Sequence, residues 1–141
     1  MKKPIIAVFI SIILLLTLST QPLFAAAKTI KIKVTFVSAE LIEKNSVGNE
    51  WWSGATINGK EVKEGATIVL NLKASDLIKL RAEAQEQDKY PDDGATDASV
   101  KVSAIGAKAV TKTLEVSVTE NRGRYSGNVA KWEFHFKIQK G

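Results

Sequence analysis

From Lys28 onward, apolar side chains recur at every second position, and that alternation limits the fold more than any other feature. Ile30, Ile32, Val34 and Phe36 stand opposite Lys31, Lys33 and Thr35, the period-2 pattern of a strand with one buried and one wet face. The pattern returns several times. Glu50 to Ile57 places Trp51, Ser53, Ala55 and Ile57 on one face and Trp52, Gly54 and Thr56 on the other, which makes Trp51 the core residue and Trp52 the exposed one. Asn58-Gly59 is a strong two-residue hairpin signal, because both residues tolerate positive φ, and Lys60 to Val62 forms the short return arm. Thr67 to Leu72, Leu77 to Glu86, Ala98 to Ala104, Leu114 to Val118 and Ala130 to Ile138 alternate in the same way. Glu40 to Lys44 is too short to stand as a helix on its own. Seven or eight short strands divided by turn signals predict an all-β domain, a two-sheet antiparallel β-sandwich.

The N-terminal segment has a different character. Lys2 and Lys3 precede an apolar run from Ile5 to Leu16, and Pro22 leads into Ala25-Ala26-Ala27. That order predicts a secretory signal peptide over residues 1–27, with cleavage after Ala25 or after Ala27 fitting equally. The apolar run falls short of the ~20 residues of a spanning helix, although Leu23 and Phe24 bring a retained anchor within reach. A single domain over 28–141 is then expected, secreted or associated with the cell envelope, with no membrane span once the signal is removed. Losing Lys2 and Lys3 lowers the formal charge from +5 to +3, a mild basic bias compatible with an anionic surface. The chain has no cysteine, so a core or a bound ion, not a disulfide, must hold the fold.

Glu86 to Asp97 carries Asp88, Asp92, Asp93 and Asp97 around Pro91 and Gly94, and reads as a turn-rich loop between two strands. Carboxylates crowded into one loop repel one another, and a hard cation such as calcium relieves that repulsion. Asn49 and Glu50 are candidate donors from a second loop. An EF-hand does not fit, since placing Gly94 at the invariant glycine puts Lys89 and Pro91 at ligand positions. A solvated acidic turn accounts for the same composition.

Trp52 is a candidate platform for a sugar ring or a protein partner, with local rim packing as the alternative. Arg122, Arg124 and Tyr125 form a second candidate contact, suited to an anionic polymer or a surface of lipid head groups, with a hairpin tip kept soluble by its arginines as the alternative. Two arginines are too few for a nucleic-acid track, and no nucleic-acid partner is expected. His135 is the only histidine, which excludes a histidine-based zinc cluster. No cysteine nucleophile, phosphate loop or nucleophile elbow is present. A small hydrolase would need a carboxylate pair on a chain too short to wrap a cleft around it.

The segments Val47-Gly-Asn-Glu-Trp51, Asn58-Gly59, Asp88-Lys-Tyr-Pro-Asp-Asp-Gly94 and Asn121-Arg-Gly-Arg-Tyr-Ser-Gly127 together resemble small exported bacterial β-sandwich domains of unassigned function. More loosely, the organisation is similar to C2-like calcium-dependent sandwiches. That likeness implies Asp88, Asp92, Asp93 and Asp97 as ion-binding positions and an anionic membrane or wall as the surface. The expected function is a non-catalytic exported binding module, possible partners being a cell-wall polymer, an anionic surface or another exported protein. A metal-free structural or interaction domain is the alternative, and a small hydrolase the third.

Overall fold

The computed structural model describes residues 26–141. All but the last two residues of the segment read as a signal peptide lie outside that range. Eight strands follow in order: β1 (Thr29–Glu43), β2 (Trp51–Ile57), β3 (Lys60–Val62), β4 (Thr67–Lys73), β5 (Leu77–Glu86), β6 (Asp92–Lys101), β7 (Val110–Thr119) and β8 (Val129–Lys140). They form two four-stranded sheets, ordered β4-β1-β8-β7 and β3-β2-β5-β6, and every pairing is antiparallel. The sandwich expected from the alternation is therefore the fold. Among the described residues no helix is long and apolar enough to cross a membrane.

The alternating residues set the faces. Ile32, Val34 and Phe36 of β1 and Phe134, Phe136 and Ile138 of β8 are buried, as are Ile78, Leu80, Ala82 and Ala84 of β5. The phenylalanines stack, with Phe36 5.9 Å from Phe134 and 5.3 Å from Phe136 between ring centroids. The facing sheet contributes small Ala55, Ala82 and Ala84 beside larger Ile57, Ile78 and Leu80 to the same core, a mix of sizes that lets the two faces interdigitate. Each fully buried Phe, Ile, Leu or Val stabilises the fold by ~1.5–3 kcal/mol before the cost of ordering the chain. Trp51 lies partly buried against the core and meets Trp132 edge-on at 5.6 Å, while Trp52 is exposed, as the alternation requires.

Turn chemistry also matches local sequence. Asn58 (φ 48°) and Gly59 (φ 77°) close the β2–β3 hairpin, the positive-φ pair of a type I′ turn.

Two expectations are corrected, and the segment after Ala39 gains an assignment. Glu86 to Asp97 is not a single loop, because β5 continues through Glu86 and β6 begins at Asp92, leaving only residues 87–91 as the turn. Cross-strand pairing from Glu86↔Asp92 to Leu77↔Lys101 overrides the turn preference of Asp and Gly. Glu40 to Glu43 continues β1, through irregularities against β8 between Phe36 and Ser38 and between Leu41 and Glu43. Val102 to Ala104 leaves the strand as one 3₁₀ turn, fixed by the Val102 N–H donating to the Asp76 carbonyl and the Ser103 N–H to that of Ala74.

Candidate functional site

Three connections meet at one end of the sandwich: residues 44–50 between β1 and β2, 87–91 between β5 and β6, and 120–128 between β7 and β8. They are tied to one another. Asn45 donates through Nδ2 to the Val129 carbonyl at 2.7 Å, and Asn128 returns a 2.7 Å bond from Nδ2 to the Asn45 carbonyl. The Gln87 N–H donates to the Glu50 carbonyl at 2.7 Å. Val47, fully buried, pins the first connection to the body, and Lys44 reaches the Asn49 side-chain carbonyl. Because loops carry fewer packing constraints than the sheets beneath them, ends of this kind are where sandwiches place their recognition residues.

Between these connections lies an open groove of about 830 Å³, lined by Lys44, Asn49, Glu50, Glu86, Asp88, Glu120 and Tyr125 among others. A smaller depression of about 410 Å³ adjoins it, between Tyr90, Arg122, Arg124 and Tyr125, and shares Asp88 and Glu120. Tyr90 and Tyr125 are half-exposed. The Arg122 guanidinium sits 4.4 Å from the centre of the Tyr90 ring, a cation–π contact that holds the ring in place.

Glu86 forms part of the groove and is 1% exposed. The inward positions of β5 run Ile78, Leu80, Ala82, Ala84 and then Glu86, so the alternation itself turns this carboxylate inward. Gly48, at φ 50°, passes directly over it, and a Cβ there would overlap the Glu86 carboxyl. The Asp88 N–H donates to Glu86 Oε2 at 3.1 Å. Burial raises the Glu86 pKa above the ordinary glutamate range, and the charges of Asp88 and Glu120 add to the rise; backbone N–H bonds from Asp88 and Asn49 oppose it.

The aspartates separate. Asp88 stays at the groove, where its Oδ1 accepts the Tyr90 N–H at 2.6 Å. Asp92 turns inward at 6% exposure and accepts two bonds from Asn121, from Nδ2 at 2.6 Å and from the backbone N–H at 3.3 Å. Asp93 and Asp97 point outward along β6, roughly 13 Å apart at the rise of a strand. Asp97 is occupied by Arg81 at 2.7 Å, which also holds Glu83 at 2.6 Å. The four aspartates thus do not share one loop, and among the described residues no group of three His, Cys, Asp or Glu side chains is arranged to hold a metal ion.

Other expected residues do gather here. Asn49 and Glu50 lie in the groove beside Asp88, and Arg122, Arg124 and Tyr125 lie at the same end. Trp52 is on the outer face of β2, against a different hollow. His135 faces outward, with Nδ1 3.0 Å from Thr113 Oγ1 and Nε2 3.5 Å from Glu133. Sequence reasoning missed Lys44, Tyr90 and Glu120 as groove residues, since each flanks a strand end and carries no motif. The buried state of Glu86 was legible from its place in the alternation.

No protein-family model and no curated protein matches the chain.

Proposed function

We propose that the protein is an exported, non-catalytic binding module whose loop-end groove takes a hydroxyl-rich, weakly charged polymer, a glycan of the cell envelope. The N-terminal segment supports export by its lysines, apolar run and small-residue junction. The observation that carries the ligand class is the pairing of two half-exposed tyrosines, Tyr90 and Tyr125, with a polar groove at one end of the sandwich.

Charge argues in the same direction. Lys44, Lys89, Arg122 and Arg124 are interleaved with Glu50, Asp88 and Glu120, so neither a polyanion nor a polycation meets a field of one sign. Hydroxyl groups both donate and accept, which suits a surface offering ammonium donors, carboxylate acceptors and the amides of Asn49 and Gln87. The Tyr125 ring would stack on the C–H face of a sugar ring while its hydroxyl stays wet. Tyr90, with Arg122 at 4.4 Å and Lys89 at 5.4 Å from its ring centre, would border the ligand with its edge and hydroxyl.

Titration calorimetry of the full chain against neutral and anionic wall-type glycans tests this reading. Binding of a neutral or weakly charged glycan, weakened about tenfold or more by Tyr125→Ala or by Tyr90→Ala, is the expected result. Binding indifferent to both substitutions, or confined to strongly anionic polymers, would overturn it.

A further inference from the structure

A second recognition feature lies on the flank bordered by β3 and β4, away from the tyrosines. Both of these edge strands are short. β3 pairs only with Ala55–Ile57 of β2, although β5 pairs with β2 along Trp51–Ile57. β4 pairs only with Thr29–Thr35 of β1, although β1 runs on to Glu43. The turn at Gly65 and Ala66 bonds Phe36 through its backbone, and just beyond it the Glu64 carboxylate accepts the Ala39 N–H at 3.4 Å. Among the described residues, the first half of β2 and the second half of β1 therefore have no strand neighbour on this flank.

The orientation of the free groups follows from the hairpin. A two-residue type I′ turn makes Ile57↔Lys60 a hydrogen-bonded pair, and antiparallel pairing alternates. Ala55 then bonds Val62, and Ser53 and Trp51 direct their backbone N–H and C=O groups to the open side. Beside them is a notch of about 550 Å³. Buried Phe36, Ala55 and Val62 reach its surface, and its rim carries Glu61, Glu64 and Glu83 against Lys63. Glu83 is shared with Arg81. Trp52, 46% exposed, stands over Gly54 at the same place, close enough that a Cβ on Gly54 would strike its ring. Val37 and Ile42 of β1 are also half-exposed.

We propose that this notch receives an extended, basic peptide segment of a partner protein by strand addition to β2, in line with β3. Main-chain bonds to Ser53 and Trp51 supply affinity, and alternate side chains supply specificity. One apolar side chain covers Phe36, Ala55 and Val62. Flanking cationic side chains meet Glu61 and Glu64, and one lies against the Trp52 ring. The acidic rim selects a basic segment over an acidic one, and the side-chain alternation selects an extended segment over a helix.

The test titrates the full chain with a capped peptide of alternating lysine and valine, reading affinity by calorimetry and the Ser53 and Trp51 amides by hydrogen exchange. Binding with slowed exchange at Ser53 is expected, as is a loss of about tenfold or more when one peptide nitrogen is methylated. A glutamate–valine peptide should not bind, and E61K combined with E64K should reverse that preference. Ser53→Pro removes a donor that β5 does not use and should abolish binding with little change in Tm; if it unfolds the protein, the charge reversal still decides. Tyr125→Ala should leave peptide binding unchanged, which separates this site from the glycan groove. Three results would each sink the proposal: no binding at millimolar peptide, binding with Ser53 exchange unaltered, or occupation of the notch by self-association of the chain.

Discussion

The two flanks of the sandwich are built from the same kind of strand and end up opposite in character. On one, β6 and β7 approach closely enough to seal the gap between the sheets. Thr96 Oγ1 donates to the Glu115 carbonyl at 2.6 Å, and a Cβ at Gly94 would fall on the Ser117 carbonyl oxygen. On the other, β3 and β4 stop early and leave the notch beside Trp52. The contrast extends to the two buried carboxylates, which are register partners, Glu86↔Asp92. Asp92 receives two donors from Asn121, in the connection that leaves β7. Glu86 lies under Gly48 of the β1–β2 connection, with its Oε2 bonded to a turn N–H. Closure here depends on strand length and on one glycine, not on hydrophobic content.

The most disruptive way to break the contrast is at Phe36, which stacks on Phe134 and Phe136 and reaches the open flank. Phe36→Ala should cost about 3–5 kcal/mol by denaturant unfolding, and the notch should deepen into the core. Next is Gly94→Ala, which forces β6 away from β7 and should cost about 1–3 kcal/mol, with faster amide exchange along β7. A loss below about 0.5 kcal/mol would mean that the closed flank yields as easily as the open one. Asn121→Ala leaves Asp92 short of a donor and should cost about 1–2 kcal/mol by denaturant unfolding.

The finest probe is pH. Glu86 has a raised folded-state pKa, so the folded state holds its proton at pH values where the unfolded chain has released it. Its contribution is fully present below the ordinary glutamate range and is lost as pH rises through the raised value. Glu86→Gln should remove that downward slope and leave the variant at least as stable as the parent at neutral pH. An unchanged slope in urea titrations across mildly acid pH would show that Glu86 is not its source.

Most of this architecture was legible in the alternation. Phe36, Leu80, Phe134 and their neighbours fall on the faces that a period of two assigns them, and Asn58-Gly59 marks the hairpin. The acidic stretch misled because Asp and Gly carry two meanings. Locally they favour turns, yet Gly94 is small because β7 lies against it, and Asp97 is acidic opposite Arg81. Both reasons are tertiary, contributed by residues distant in sequence. The groove was half legible: Asn49, Glu50, Asp88 and Tyr125 stood out, whereas Lys44 and Glu120 enter only because three loops converge.

The pairing of β1 with β8 has a kinetic consequence. These strands lie at opposite ends of the described chain, yet they are the two central neighbours of their sheet, in register from Ile32↔Lys140 to Glu43↔Lys131. The sheet that supplies all three core phenylalanines therefore cannot assemble until β8 has been synthesised. Such distant closure is slow, in the millisecond-to-second range typical of β-sandwiches. Until then Ile32, Val34 and Phe36 lack their β8 partners, so the topology itself keeps this sheet open for as long as the chain is incomplete.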